Sequence, residues 1–122
     1  MLADTLTLTD DLLATHNYDL ISSLGSRSIR SDASQSISEP KRVLTSSEKA
    51  KSGRVGSVFI REDTSTLADG ITQDTTRVQL KASYNPNSGI TDQKTILRAQ
   101  IAEVVSFFSV AANVEQFLNQ EM

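Results

Sequence analysis

Between Thr75 and Tyr84 polar and apolar positions alternate without a break. Thr75, Arg77, Gln79, Lys81 and Ser83 fall on one side, and Thr76, Val78, Leu80, Ala82 and Tyr84 on the other. Successive side chains of a strand point to opposite faces, so the pattern predicts a strand with Val78, Leu80 and Ala82 toward a core. Residues 4–10, DTLTLTD, alternate leucine with β-favouring threonine, and residues 17–24, NYDLISSL, make a plausible antiparallel partner. The serine-rich stretch 25–39 reads as an edge strand or a loop, bounded by Pro40.

The clearest hairpin is KRVLTSSEKA and RVGSVFIRED around KSG. A three-residue turn sets Ala50 opposite Arg54. It then places Leu44, Ser46, Val58 and Ile60 on one face, with Lys41, Thr45, Ser47, Lys49, Ser57, Phe59 and Arg61 on the other. Residues 64–73, TSTLADGITQ, have the glycine and polar content of a long loop. After YNPNSG the period changes. Ile96, Leu97, Ile101, Val104, Val105 and Phe108 recur at three-and-four spacing, which predicts an amphipathic helix with Thr91 as N-cap and Asp92 in its first turn. A second short helix is expected near Val114, Phe117 and Leu118. Strands first and helices last give an α+β fold with an antiparallel sheet.

The chain of 122 residues suits one domain with its own core. It has no cysteine, which excludes disulfides, thiolate metal sites and a cysteine nucleophile. The start, MLADTLTLTD, lacks the pattern of a signal peptide, and IAEVVSFFSVAANV is too short to span a bilayer, so a soluble chain without a membrane partner is expected. The net charge of −3 hides a division: both ends are acidic, whereas Lys41, Arg42, Lys49, Lys51, Arg54 and Arg61 cluster in the middle against Glu48 alone. No phosphate-loop or G-x-S-x-G pattern is present. Glu62 and Asp63 are strand neighbours that point apart, and the lone His16 beside Asn17 reads as a surface residue in a turn. Catalysis therefore has no foothold: the chain is read as no enzyme, with no cofactor, metal or small-molecule substrate.

The strand DTLTLTD, the basic hairpin, the loop, the strand TTRVQLKASY and the ending NSGITDQKTILRAQIAEVVSFFSVAANVEQFLNQEM together resemble the coat protein of a levivirus-type single-stranded RNA bacteriophage. The resemblance covers nearly the whole chain and rests on the order of strands and helices. It implies one coat-protein domain over residues 1–122, with an N-terminal hairpin (1–24), a five-stranded antiparallel main sheet (25–84) and C-terminal helices (91–122). It further implies an interlocked dimer with a continuous sheet, an icosahedral shell around single-stranded genomic RNA, and residence in the virion after assembly in the bacterial host cytoplasm. RNA contact through the sheet face, on a genomic stem-loop or without specificity, belongs to the same implication.

On that reading Thr45, Ser47, Lys49, Ser57, Phe59, Arg61, Arg77, Gln79 and Lys81 form one genome-facing surface. Lysine and arginine would neutralise phosphates, while hydroxyls, amide and ring meet bases or riboses. Phe107, Phe108, Val110, Val114, Phe117 and Leu118 exceed what a short helical pair can bury against its own sheet, which marks them as a dimer interface. A non-viral RNA-binding regulator using the same basic sheet is the alternative.

Overall fold

The alternation at residues 75–84 does become a strand, the last of six. The computed structural model describes residues 2–120 and divides into two compact units, one ending at Asn85 and the other starting at Pro86. In the first unit β1 (Thr5–Thr9), β2 (Thr15–Leu24), β3 (Arg27–Ser31), β4 (Lys41–Lys49), β5 (Val55–Thr66) and β6 (Gln73–Tyr84) form one antiparallel sheet in chain order. The expected class, an antiparallel sheet followed by two helices, is present. The N-terminal hairpin, however, does not stand apart, because β2 also pairs with β3. Four strands follow it, not five, since Val55–Thr66 runs as one uninterrupted strand.

The KSG hairpin closes as its composition requires. Ala50 N donates to Arg54 O at 2.8 Å, and Gly53 takes φ 86°, a backbone region that side chains with a Cβ avoid. The serine-rich segment 25–39 is divided between an interior strand, β3, and a loop. The expected long loop at 64–73 shrinks to six residues, 67–72, because β5 and β6 pair as far as Thr66 and Gln73. Leu67 N to Thr72 O (2.7 Å) closes this turn. The Asp69 carboxylate accepts from Ile71 N, Thr72 N and Thr72 Oγ1, and these bonds, the Thr72 hydroxyl first, hold its pKa below the usual value.

The sheet curls, and long side chains of β2 and β5 meet across the face between them. The Arg61 guanidinium lies 4.9 Å from the centre of the Tyr18 ring. Inside the curl Tyr18 and Val43 are buried, together with two charged side chains, Arg30 (3% exposed) and Asp32 (6% exposed). Arg30 Nε and Nη2 both donate to Ala3 O, at 3.1 and 2.8 Å, and Nη1 donates to Ser28 Oγ at 2.7 Å. A buried cation without a carboxylate partner is tolerable only while its donors are bonded in this way. It also ties the segment before β1 to β3.

The second unit holds α1 (Gln93–Phe108) and α2 (Ala111–Leu118), bent 87° apart. The expected cap Thr91 lies one residue too early: Asp92 is the N-cap, in the left-handed region at φ 58°, with no side-chain cap bond. Ser109 ends α1, its hydroxyl and its N–H both donating to Ser106 O. Phe108 sits edge-on between Phe107 (5.0 Å between ring centres) and Phe117 (5.1 Å), and these contacts hold the helices at their bend. No single helix among the described residues is long and apolar enough to cross a membrane.

Replacing Arg30 by alanine should lower stability by about 2–4 kcal/mol, through the lost charged hydrogen bonds and the space left behind. Urea unfolding measures this, and a loss within error of zero would show that the Ala3 tie contributes nothing.

Candidate nucleic-acid interface

Facing residues of an antiparallel pair share a face, so the register assigns every side chain of the sheet. One row runs Leu20, Arg30, Val43, Arg61, Val78 across β2 to β6. Its face, which also carries Tyr18, holds Thr45, Ser47, Lys49, Ser57 and Phe59. The expected faces of the β4–β5 hairpin are therefore observed: Thr45 opposes Phe59, Ser47 opposes Ser57, and Leu44 opposes Ile60 on the reverse side.

The expected single surface is not. Ser57 opposes Ala82, Phe59 opposes Leu80 and Arg61 opposes Val78, so Arg77, Gln79 and Lys81 lie on the opposite face, with Leu44, Ser46, Val58 and Ile60. The nine residues are divided six and three. The cause is the pairing across the 67–72 turn, which starts at Thr66 and Gln73 and sets the odd positions of β5 against the even positions of β6. Tyr84 consequently joins the face of Thr45 and Phe59, opposite Val55.

The Tyr18 face is largely occupied by protein contacts. Arg61 stacks on Tyr18 and pairs with Asp63, and its Nη1 also donates to Glu62 O at 2.7 Å. Burial of the phenol raises the Tyr18 pKa, which Arg61 partly opposes. Hydroxyls bond one another, Ser28 with Thr45 at 2.5 Å and Ser57 with Ser47 at 3.1 Å. Toward β6 the face turns apolar through Phe59, Val78, Leu80 and Ala82, and Val78 is 73% exposed.

Lys41 and Lys49 of the Tyr18 face have no carboxylate partner among the described ion pairs, and the Arg77 face carries exposed cations as well. Arg77 meets Glu62 through Nη2 (2.7 Å) and Nε (3.1 Å) yet keeps 53% of its side chain exposed, and Arg27 pairs with Glu48. Arg42 and Lys81 have no carboxylate partner among the described ion pairs. On β3–β6 four cations (Arg27, Arg42, Arg77, Lys81) face two carboxylates (Glu48, Glu62), around a half-buried apolar centre of Ile29, Leu44, Val58 and Ile60. A phosphate chain laid here meets positive charge, hydroxyls such as Ser46, and the Gln79 amide.

The proposed self-association residues gather in the second unit. Phe107, Phe108, Val110, Phe117 and Leu118 are all more than two-fifths exposed, while Val114 is half-buried. A further feature had no signal in the local sequence: β6 has one neighbour only, so its outer edge presents unpaired backbone groups over twelve residues.

No protein-family model and no curated protein match the sequence. Solved structures do. A virus-like particle of bacteriophage ESE020 superposes with a TM-score of 0.68 at 13% identity, covering 97% of this chain and 96% of that one. A virus-like particle of Beihai levi-like virus 21 gives 0.64 at 11% identity, over 100% and 97%. The bacteriophage EMS014 coat protein gives 0.57 at 21% identity, over 88% and 73%. The chain has the levi-like phage coat-protein fold. The superpositions on this coat-protein fold cover most or all of the chain at identities of 11–21%, so backbone geometry, not residue identity, carries the likeness.

If Arg61 is engaged by Tyr18, a double-mutant cycle of Arg61→Met and Tyr18→Leu should yield a coupling of about 0.5–2 kcal/mol in unfolding free energy. Zero coupling would leave Arg61 available to a phosphate.

Proposed function

We propose that the protein is the structural subunit of a single-stranded RNA phage shell, self-associating through its helices and free sheet edge and contacting genomic RNA through the Arg77 face. The observation that carries this reading is the match in fold along the full chain to proteins solved as virus-like particles. Two physical features support it. A twelve-residue edge strand is a template for pairing with another chain, and an interlocked dimer with a continuous sheet would satisfy it. An aromatic cluster left 41–46% exposed in Phe107, Phe108 and Phe117 calls for protein cover, which a second copy supplies.

For RNA the expected surface is revised, not abandoned. Arg77, Gln79 and Lys81 remain, joined by Arg42 and Ser46 of the same face. Thr45, Ser47, Lys49, Ser57, Phe59 and Arg61 face the other way, where the apolar end around Val78 and Leu80 suits contact with protein. The shell subunit needs no catalytic residue, and its partners are further copies of itself and the RNA within the virion.

Expressed protein should form shell-sized particles containing nuclease-protected RNA, seen by light scattering and negative-stain microscopy. Small oligomers alone would favour an RNA-binding regulator over a shell. Phe108→Asp should abolish soluble association by placing a charge inside the ring cluster.

The pair Arg77→Ala with Lys81→Ala should lower the unfolding free energy, because Glu62, with only 11% of its side chain exposed, loses its partner, while the folded protein binds RNA more weakly. The slope of log affinity against log salt should flatten by about 0.7 to 0.9 for each phosphate that is no longer neutralised. The same slope in wild type and double variant would remove RNA from this face.

A further inference from the structure

His16, expected on the surface of a turn, instead lies within β2 with its side chain two-thirds buried between carboxylates of two loops. On one side Nε2 is 3.0 Å from Asp10 Oδ2. On the other, Nδ1 is 3.9 Å from Asp32 Oδ2. The two carboxylates come from the turn after β1 and the loop after β3, which lie at the same end of the antiparallel sheet.

Each carboxylate organises its own loop. Asp10 Oδ1 accepts from Leu12 N (2.9 Å) and Ala14 N (3.0 Å), in a turn that holds Leu13 at φ 63°. Asp32 Oδ1 accepts from Ser34 N (2.9 Å) and Ser34 Oγ (2.6 Å). Asp32 Oδ2 is buried and is the one described buried side-chain oxygen or nitrogen without a hydrogen-bond partner. A buried unpaired carboxylate oxygen is costly, and it sits beside a cavity of about 300 Å³ lined by His16, Asn17, Asp19 and Ser34 among others. No three described His, Asp or Glu side chains converge to hold a metal ion there.

A neutral imidazole has one N–H and can donate to one carboxylate only. With that proton on Nε2, facing Asp10, the Nδ1 lone pair points toward the unpaired oxygen of Asp32. The imidazolium has an N–H on each nitrogen and serves both, once the 3.9 Å separation closes by about 1 Å to hydrogen-bond length.

We propose that His16 is a proton-operated latch: protonated, it bonds Asp10 and Asp32 together and fixes the β1–β2 turn and the β3–β4 loop to β2; neutral, it releases Asp32. The charged groups around it are consistent with that action. Asp19 lines the cavity but accepts from Thr5 Oγ1 (2.7 Å) on the reverse face, and the Lys41 charge acts on the Asp32 carboxylate at a distance, while Asp32 N donates to Lys41 O at 3.0 Å. The pKa of Asp10 is lowered, chiefly by its bond to His16, and that of Asp32 is lowered, chiefly by Ser34. Carboxylates with depressed values keep their contribution above the ordinary carboxylate range and lose it as pH falls through the depressed values. The latch is closed while the imidazole carries both protons and both carboxylates are charged, and it reopens when the carboxylates themselves are protonated. Closure fixes the loop tips on which Leu12 (84% exposed), Leu13 (83%) and Ile37 (98%) are displayed.

Hydrogen–deuterium exchange with mass spectrometry tests this on the whole chain, at pH 8 and pH 5.5, after correction for the intrinsic exchange rate. Peptides spanning residues 10–15 and 32–38 should be severalfold better protected at pH 5.5, while a peptide within 93–108 should not change. His16→Gln and Asp32→Asn should each remove the pH difference at residues 32–38, and two variants guard against one failing to fold. Wild-type protection at 32–38 that is the same at both pH values, or a difference that persists in His16→Gln, would overturn the latch.

Discussion

The pairing of Arg61 with Val78 is the constraint from which the assignment of both sheet faces follows. In an antiparallel pair a slip of one residue exchanges every side chain between faces, so the short turn at 67–72 decides what β6 shares with β5. Because the turn begins at Leu67, the apolar positions of β6 extend the face of Phe59 and Tyr18. Its basic positions extend the face of Arg42 and Ser46. A turn one residue longer would have placed Arg77, Gln79 and Lys81 on the face of Thr45, Ser47, Phe59 and Arg61.

The curl of the sheet then gives the two faces different physical roles. On one face Val43 and Arg30 are buried, and the Arg61 guanidinium lies over the Tyr18 ring. On that side Arg30 and Arg61 satisfy the protein's own carbonyls, hydroxyls and rings, which leaves Lys41 and Lys49 as its cations without a carboxylate partner among the described ion pairs. The reverse face keeps Arg42, Arg77 and Lys81 exposed, Arg77 through half of its side chain beside Glu62. The free edge, the exposed aromatic side chains of the helices and the basic face are the features on which the proposed shell subunit rests.

Much of this was legible along the chain because it is local. Alternation marked β1, β2 and β4–β6, the KSG turn fixed the β4–β5 faces, and the three-and-four spacing from Ile96 marked α1. What escaped depended on contacts between segments distant in sequence. The mixed polar stretch around Arg30 gives no hint that a guanidinium is buried there, since its acceptor is the carbonyl of Ala3. His16 read as solvent-exposed because neither neighbour in sequence is a carboxylate; Asp10 reaches it across a turn and Asp32 from the loop after β3. The division of the candidate RNA-binding residues was hidden in TSTLADGITQ, whose composition announces a turn but not its length.

The direct test of the division between faces is a cryo-electron microscopy map of the assembled particle. Gln79 and Lys81 should point toward the RNA density, with Val78 and Leu80 on the side away from it. RNA density on the side of Val78, Leu80 and Phe59, with Lys81 turned away from it, would contradict the assignment.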